Sequence, residues 1–153
     1  MLVSDFRKMP EQLTLPKVML VCVDGSEIGF KAAEYAISLA GKLQSRLIFL
    51  NVIGIDASEK EYNITADMVG SFETLGEDAL NKCQEMAKRA GVQSEAQQVA
   101  GDPVEQILGR VAALGCDCIV MGRRELTAAE KLAVESVSQK VLDRADVPVI
   151  MVK

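Results

Sequence analysis

The chain has 153 residues, of which 49% are hydrophobic and 25% are charged, and this is the balance of one ordinary globular domain. Its formal net charge of -5 argues against a nucleic-acid or anionic-lipid binder, because both functions need a basic surface. The sequence has no histidine, which excludes Ser-His and Cys-His nucleophiles and histidine-ligated metal sites.

Residues 1–16 form an N-terminal arm ahead of a single predicted domain at 17–153. The arm mixes charges and prolines with too few apolar residues for a secretory signal, so we expect a cytoplasmic protein. We predict that the arm packs on the surface or is partly disordered. The longest apolar runs have about seven residues, far short of the roughly 20 that span a bilayer, so no membrane span is expected.

Short apolar runs alternate with longer helical periods along the chain, which is typical of βα units that build a parallel sheet. The first strand is predicted at 18–23 (VMLVCV) and the second at 46–52 (RLIFLNV). Between them, Ser26 is the predicted N-cap of a helix whose apolar positions step by three or four. Those positions are Ile28, Ala32, Tyr35, Leu39 and Leu43.

A second helix is predicted from about Met68 to Ala90, with Gly91 as its C-terminal stop. The polar segment 54–66 before it is interpreted as a long connection. A weaker third strand, SEAQQVA at 94–100, is expected near an edge of the sheet. The predicted core positions of the second helix are Met68, Phe72, Leu75, Ala79, Cys83 and Met86.

The third helix has the clearest start, with Asp102 as cap, Pro103 in the first turn and Glu105 reaching back toward the cap. The fourth strand follows at 118–122 (CIVMG). The predicted core positions of this helix are Ile107, Leu108, Val111 and Leu114.

The fourth helix begins near Ser136, where SVSQ spells a capping box, and directs Val137, Val141 and Leu142 to the core. The last strand is predicted at 148–152 (PVIMV). The fold class is therefore α/β, with an open five-stranded parallel sheet and helices on both of its faces.

The four cysteines are Cys22, Cys83, Cys116 and Cys118. Three of them lie in or beside apolar runs, and we interpret all four as reduced core thiols. The Cys116-x-Cys118 spacing leaves a redox function open as a further hypothesis, whereas a metal site lacks a second pair of ligands.

In an open parallel sheet, a ligand binds outside the carboxyl ends of the strands, at the point where strand order reverses. Asp24 is the clearest carboxylate there; it suits a ribose or an amine, and equally a turn beside Gly25. Both interpretations stay open. The residues selected by this rule are Asp24, Gly25, Ser26, Asn51, Val52, Gly122, Arg123 and Arg124.

The chain resembles the universal stress proteins. The segments that carry the resemblance are KVMLVCVDGSEIGFKAAEYAISLA, GDPVEQIL, CDCIVMGRRELT and SVSQKVLDRADVPVIMVK, which together extend through nearly all of 17–153. The resemblance implies a Rossmann-like sheet of order 3-2-1-4-5, similar to that of the adenine nucleotide alpha hydrolases. It also implies a homodimer formed through the C-terminal edge strand, and a role in stress tolerance or signalling.

Members of this family that bind ATP carry a glycine, two residues, a glycine, nine residues, and a glycine followed by serine or threonine. This frame falls on Gly122, Glu125, Glu135 and Ser136, so only the first glycine and the serine match. A phosphate loop needs bare backbone near the anion, and each glutamate adds a side chain and a like charge. The sequence therefore resembles the subclass with a degraded ATP loop.

The remaining polar residues of the loop do not require a nucleotide either. Arg123 and Arg124 suit phosphate oxygens or ion pairs with Glu125 and Glu135, and we favour the ion pairs. Ser136 is explained by capping the fourth helix.

Three hypotheses about function follow. The first is a dimeric, non-catalytic stress-response module that does not depend on ATP. The second is a family member that binds ATP or AMP through Asp24, the backbone near Val52, Gly122, Arg123 and Ser136. The third is an adenylate-forming enzyme of a related fold, which we rank last because VDGSE lacks the doubled glycine of such enzymes.

Overall fold

The computed structural model describes residues 14–54, 66–123 and 136–153, and strands alternate with helices along them. The strands are β1 (Val18–Cys22), β2 (Arg46–Gly54), β3 (Ser94–Gly101), β4 (Cys118–Gly122) and β5 (Val149–Val152). The helices are α1 (Glu27–Leu43), α2 (Ala66–Arg89), α3 (Pro103–Leu114) and α4 (Val137–Arg144).

The sheet is parallel throughout, and its order β3-β2-β1-β4-β5 confirms the predicted topology. The weak strand β3 lies at one edge, as expected from its polar sequence, and β5 lies at the other. Strand β2 extends two residues beyond the predicted end, because Ile53 and Gly54 pair with Ala100 and Gly101. The other strand ends agree with prediction to within one residue.

Helices cover both faces of the sheet, as predicted, and each face has its own core. One core joins alternate strand residues such as Met19 and Val21 to side chains of α1 and α2. The other core joins Leu20 and Ile48 to side chains of α3 and α4. This two-sided burial explains the nearly continuous apolar runs of the central strands.

Three helices begin at the predicted cap residues, whose side chains accept a hydrogen bond from the backbone three residues on: Ser26, Asp102 and Ser136. The two predicted capping boxes are wrong in their second half. Glu105 pairs with Arg144 at 2.8 Å, and the Gln139 amide donates to Asp143 at 3.0 Å. Each of these side chains therefore bonds another side chain on a helix surface, and the backbone N–H of its own cap residue is not its partner.

The predicted apolar face of α1 is rotated from the buried one. The residues that face the core are Gly29, Ala32, Ala33, Ala36, Ile37 and Ala40. Tyr35, predicted as a core residue, is 49% exposed. Small residues let the helix axis approach the sheet closely, so the larger side chains are left on the flanks of the contact.

The prediction for α2 is right for its second half only. Ala79 and Cys83 are buried, whereas Met68, Phe72 and Leu75 are 46%, 50% and 65% exposed. The three exposed residues lie in the first half of the helix.

The short helix α4 buries less than predicted. Val141 is fully buried, but Val137 and Leu142 are 38% and 44% exposed. A helix of eight residues has room for one row of core contacts here.

Most of the predicted N-terminal arm, 1–16, and most of the connection 54–66 lie outside the described residues. The end of the arm is anchored, because the Ser45 hydroxyl donates to the Pro16 carbonyl at 2.6 Å. Among the helices described, none is both long enough and apolar enough to cross a bilayer.

Candidate functional site

The candidate site lies at the carboxyl ends of β1, β2 and β4, where the order of strands reverses on either side of β1. The β1–α1 turn, the end of β2 and the start of the segment after β4 meet there. Of the residues selected from sequence, Arg124, Glu125 and Glu135 lie outside the described part of the chain.

Asp24 is held against the first turn of α1. Its Oδ1 accepts hydrogen bonds from the Ser26 backbone N–H at 3.0 Å and from the Ser26 hydroxyl at 2.5 Å. A Cβ at Gly29 would come within 2.5 Å of the same oxygen, so glycine there leaves room for the carboxylate. Gly25, which lies between Asp24 and Ser26, has a φ of +82°, a conformation that favours glycine. The negative charge also suits a helix N-terminus.

The backbone of Val52 points toward the site. The Leu50 carbonyl accepts a hydrogen bond from Val23 on the β1 side, and backbone groups two residues apart on a strand point to the same side. The N–H and C=O of Val52 therefore face the space beyond Cys22, where β1 ends. A planar ring with a donor and an acceptor edge is suited to this position.

Asn51 has a structural role that sequence reasoning missed. Its side chain is 6% exposed, and its amide nitrogen donates to the Val23 carbonyl at 2.8 Å. Its amide oxygen accepts from Gln98 Nε2 at 3.1 Å, and Gln98 also donates to the Glu73 carbonyl of α2 at 2.9 Å. We call this chain of hydrogen bonds the amide relay.

The amide relay leaves no room for a side chain on the α2 residue that packs against it. A Cβ at Gly76 would lie well inside van der Waals contact with the side chains of Asn51 and Gln98. The relay therefore joins the end of β1 to β3 and to α2, and a polar residue preceded by buried strand positions was the only sequence signal for it.

Gly122 is pressed against α1. A Cβ at this position would meet the Ile28 carbonyl oxygen at 2.8 Å and the Ile28 side chain at 2.9 Å. The next residue, Arg123, is exposed, and its backbone N–H donates to the Val152 carbonyl at 2.8 Å. Close packing of β4 on α1 thus accounts for glycine at 122.

Ser136 is the N-cap of α4. Its hydroxyl accepts from the Gln139 backbone N–H at 3.1 Å and shares a hydrogen bond with the Ser138 hydroxyl at 3.1 Å. The serine of the partial motif therefore has two protein partners.

The cysteines give no support to a dithiol. All four are free, and Cys116 belongs to the core under α3 and α4, whereas Cys118 belongs to the core under α1 and α2. The two side chains therefore lie on opposite faces of the sheet. Burial raises the pKa of both thiols, and burial together with the charge of Asp24 raises the pKa of Cys22 to about 12. Within the described ranges, no three acidic or cysteine side chains converge as metal ligands.

The topology and the position of the site define an open, doubly wound α/β domain with its crevice at the switch point of the sheet. The model of the universal stress protein family matches residues 16–153. The chain belongs to the universal stress protein family, and it is a stress-response protein of that family.

Individual relatives agree over most of the chain. Universal stress protein YxiE of Bacillus subtilis is 30% identical over 145 residues, which cover 88% of this chain and 97% of the relative. UspA from Lactobacillus plantarum superposes with a TM-score of 0.74 at 21% identity and covers 90% of this chain and 97% of its own. A universal stress protein solved in complex with cAMP has a TM-score of 0.74 at 24% identity, covering 92% and 99%. The two solved structures show the fold.

Proposed function

We propose that the protein is a dimeric, non-catalytic stress-response module that does not depend on ATP and works in the cytoplasm. Its surfaces and its quaternary state carry the signal. The third hypothesis, an adenylate-forming enzyme, finds no support in the β1–α1 turn, where Asp24 is hydrogen-bonded to Ser26, the N-cap of α1.

One observation carries the proposal: the residues that remain of the nucleotide motif each have a full structural role. Gly122 accommodates the Ile28 carbonyl, and Ser136 caps α4. Asp24 is hydrogen-bonded to Ser26 at the start of α1. No phosphate is needed to explain any of the three. The other two positions of the sequence frame are glutamates, whose charge repels a phosphate.

The alternative is a nucleotide-binding member of the family, and the direction of the Val52 backbone favours it. In that case Val52 would hold the base and Asp24 the ribose, while Gly122, Arg123 and Ser136 would lie near the phosphates. A family member of this fold was crystallised with cAMP, which is consistent with this alternative.

Isothermal titration with ATP and with AMP distinguishes the proposed function from the nucleotide-binding alternative. We expect no binding tighter than about 1 mM, because repulsion of about 4 kcal/mol per charge pair at 4 Å removes micromolar affinity. With no tryptophan and two tyrosines, the protein absorbs weakly at 280 nm, so the absorbance ratio reveals any adenine that co-purifies. A micromolar dissociation constant would overturn the proposal.

A gain-of-binding variant makes the same test from the other direction. The double substitution Glu125→Gly and Glu135→Gly restores the family frame, and we expect it to tighten ATP binding at least tenfold, about 1.4 kcal/mol. Glu130→Gly removes a glutamate of the same segment that lies outside the frame, and it should change nothing. Equal affinity of the double variant and the wild type would show that the glutamates are not the obstacle.

A further inference from the structure

The exposed apolar residues at the start of α2 continue the buried face of that helix. Leu75, Phe72 and Met68 lie four, seven and eleven residues before the buried Ala79. Residues at these spacings share one side of an α-helix. We call these three residues the α2 stripe.

The α2 stripe begins one turn before Ala79, next to the candidate site. Ala79, one turn after Leu75, lies against the β1–α1 turn, since a Cβ at Gly25 would come within 3.9 Å of it. Strand β1 has ended at Cys22 by this level, so β2 and β3 alone continue beside the turns of α2 just before Ala79. The side of α2 that is buried from Ala79 onward is exposed in the turns that precede Ala79.

The amide relay fixes the direction in which the α2 stripe faces. Gln98 holds the Glu73 carbonyl at 2.9 Å, and Glu73 lies within the sequence of the stripe. Gly76, packed on Asn51 and Gln98, prevents rotation of the helix at the same level. The α2 stripe is thus presented by a rigid element, which lowers the entropy cost of binding a partner.

The stripe is bordered by negative charge. The first fifteen residues of α2 contain Asp67, Glu73, Glu77 and Asp78 and no basic residue. At 100° per residue, Asp67 and Asp78 lie beside the stripe on the side away from Gly76, whereas Glu73 lies beyond the side of the helix that Gly76 packs on the sheet. An apolar row with this acidic border is complementary to a helix whose apolar face is flanked by Lys or Arg.

The size of the surface favours a peptide segment over a second folded copy. Three side chains that are about half exposed offer on the order of 300 Å² of apolar area, whereas a standard dimer buries roughly 800 Å² per partner. A single amphipathic helix contacts its groove through a few anchors spaced like these.

We propose that the α2 stripe is a docking surface for a basic amphipathic segment of a partner protein. This surface is separate from the nucleotide question, because neither the stripe nor its acidic border belongs to the nucleotide motif. It gives the signalling role a defined contact on the molecule.

The test uses a labelled helical peptide of leucine and lysine, followed by fluorescence anisotropy on the full-length protein. The comparison peptide has glutamate in place of every lysine. We expect the basic peptide to bind, with an affinity that falls as salt rises, and the acidic peptide not to bind.

Two matched pairs of variants separate the stripe from the overall charge of -5. Leu75→Ser should weaken binding about tenfold, whereas Leu15→Ser, with 62% exposure against 65% for Leu75, should not. Asp78→Lys should weaken binding and reduce its salt dependence, whereas the exposed Glu34→Lys makes the same charge change on α1 and should do neither.

Circular dichroism of each variant checks that the fold is retained. The proposal is overturned if the acidic peptide binds as well as the basic one, or if Leu75→Ser and Leu15→Ser behave alike. It is also overturned if Leu75→Ser lowers the oligomeric mass, because the occupant is then a second copy of the chain.

Discussion

The α-carbon of Gly122 lies so close to the Ile28 carbonyl that a methyl group has no room there. We expect Gly122→Ala to lower the free energy of unfolding by about 1–3 kcal/mol, because β4 and α1 must separate to accept it. Urea denaturation of the protein without ligand measures the change.

Gly109→Ala is the control for this substitution. Nothing lies within 4 Å of a Cβ at Gly109, which is inside α3, so alanine should raise the free energy of unfolding by about 0.5–1 kcal/mol. If Gly122→Ala were as stable as the wild type, the packing explanation for this glycine would be lost and a ligand role would regain its force.

At the scale of single residues, the sequence located Asp24 and Gly122 at the carboxyl ends of their strands, because that edge follows from the parallel sheet. It did not reveal that Ile28 presses on Gly122 or that Gly29 makes room for Asp24. Those contacts join elements whose distance depends on packing, which a single sequence does not encode locally.

At the scale of elements, the amide relay ties three of them together at Asn51. Asn51→Ala removes the donor to the Val23 carbonyl and leaves the Gln98 amide with the Glu73 carbonyl alone, and we expect a loss of about 2–3 kcal/mol in the free energy of unfolding. We also expect that Asn51→Ala speeds amide hydrogen exchange in the first turns of α2 more than it does in the second half of that helix.

Gln93→Ala is the control, since Gln93 is exposed just before β3 and its backbone carbonyl, which Leu47 uses, is retained. Exchange in α2 that is identical in Asn51→Ala and in Gln93→Ala would mean that the relay does not hold the helix.

The helix faces were predicted less well than the helices themselves. Periodicity placed Tyr35 in the core of α1, but the small residues beside it allow closer contact with the sheet and so define the buried side. In α2 the period was right for Ala79 and Cys83, yet Phe72 on the same side of the helix is 50% exposed. Periodicity shows which side of a helix is apolar, and it does not show where the neighbouring layer ends.

At the scale of the whole molecule, β5 is the edge through which we propose that two copies pair. The carbonyls of Pro148 and Val152 accept from β4, so the backbone of Ile150 also faces β4. Val149 and Met151 alternate with them and direct their N–H and C=O groups to the open side. This row of donors and acceptors is suited to pairing with a second chain.

Met151→Pro therefore removes one outward N–H and should convert a dimer to a monomer, halving the mass in multi-angle light scattering. Ile150→Pro is the contrasting variant. It removes a hydrogen bond to β4 within the chain, so it should lower thermal stability more than Met151→Pro does. A dimer that survives Met151→Pro would place the interface elsewhere.

The alternation of strands and helices was predictable because each central strand is buried on both faces and therefore reads as an apolar run, and right-handed crossovers place helices on both faces. The order of the strands came from the family resemblance. Quaternary structure was not predictable in this way. Half-buried residues such as Ile150 and Val152 pack on α1 within one chain, so their apolar character is already explained without a partner.

The tight fit of Gly122 on Ile28 also bears on how such chains are classified. A glycine that packing demands persists whether or not a ligand is lost, and so does a serine that starts a helix. Surveys that score only these two positions would sort proteins by internal packing, and under the proposed function positions 125 and 135 are the ones to compare with nucleotide binding.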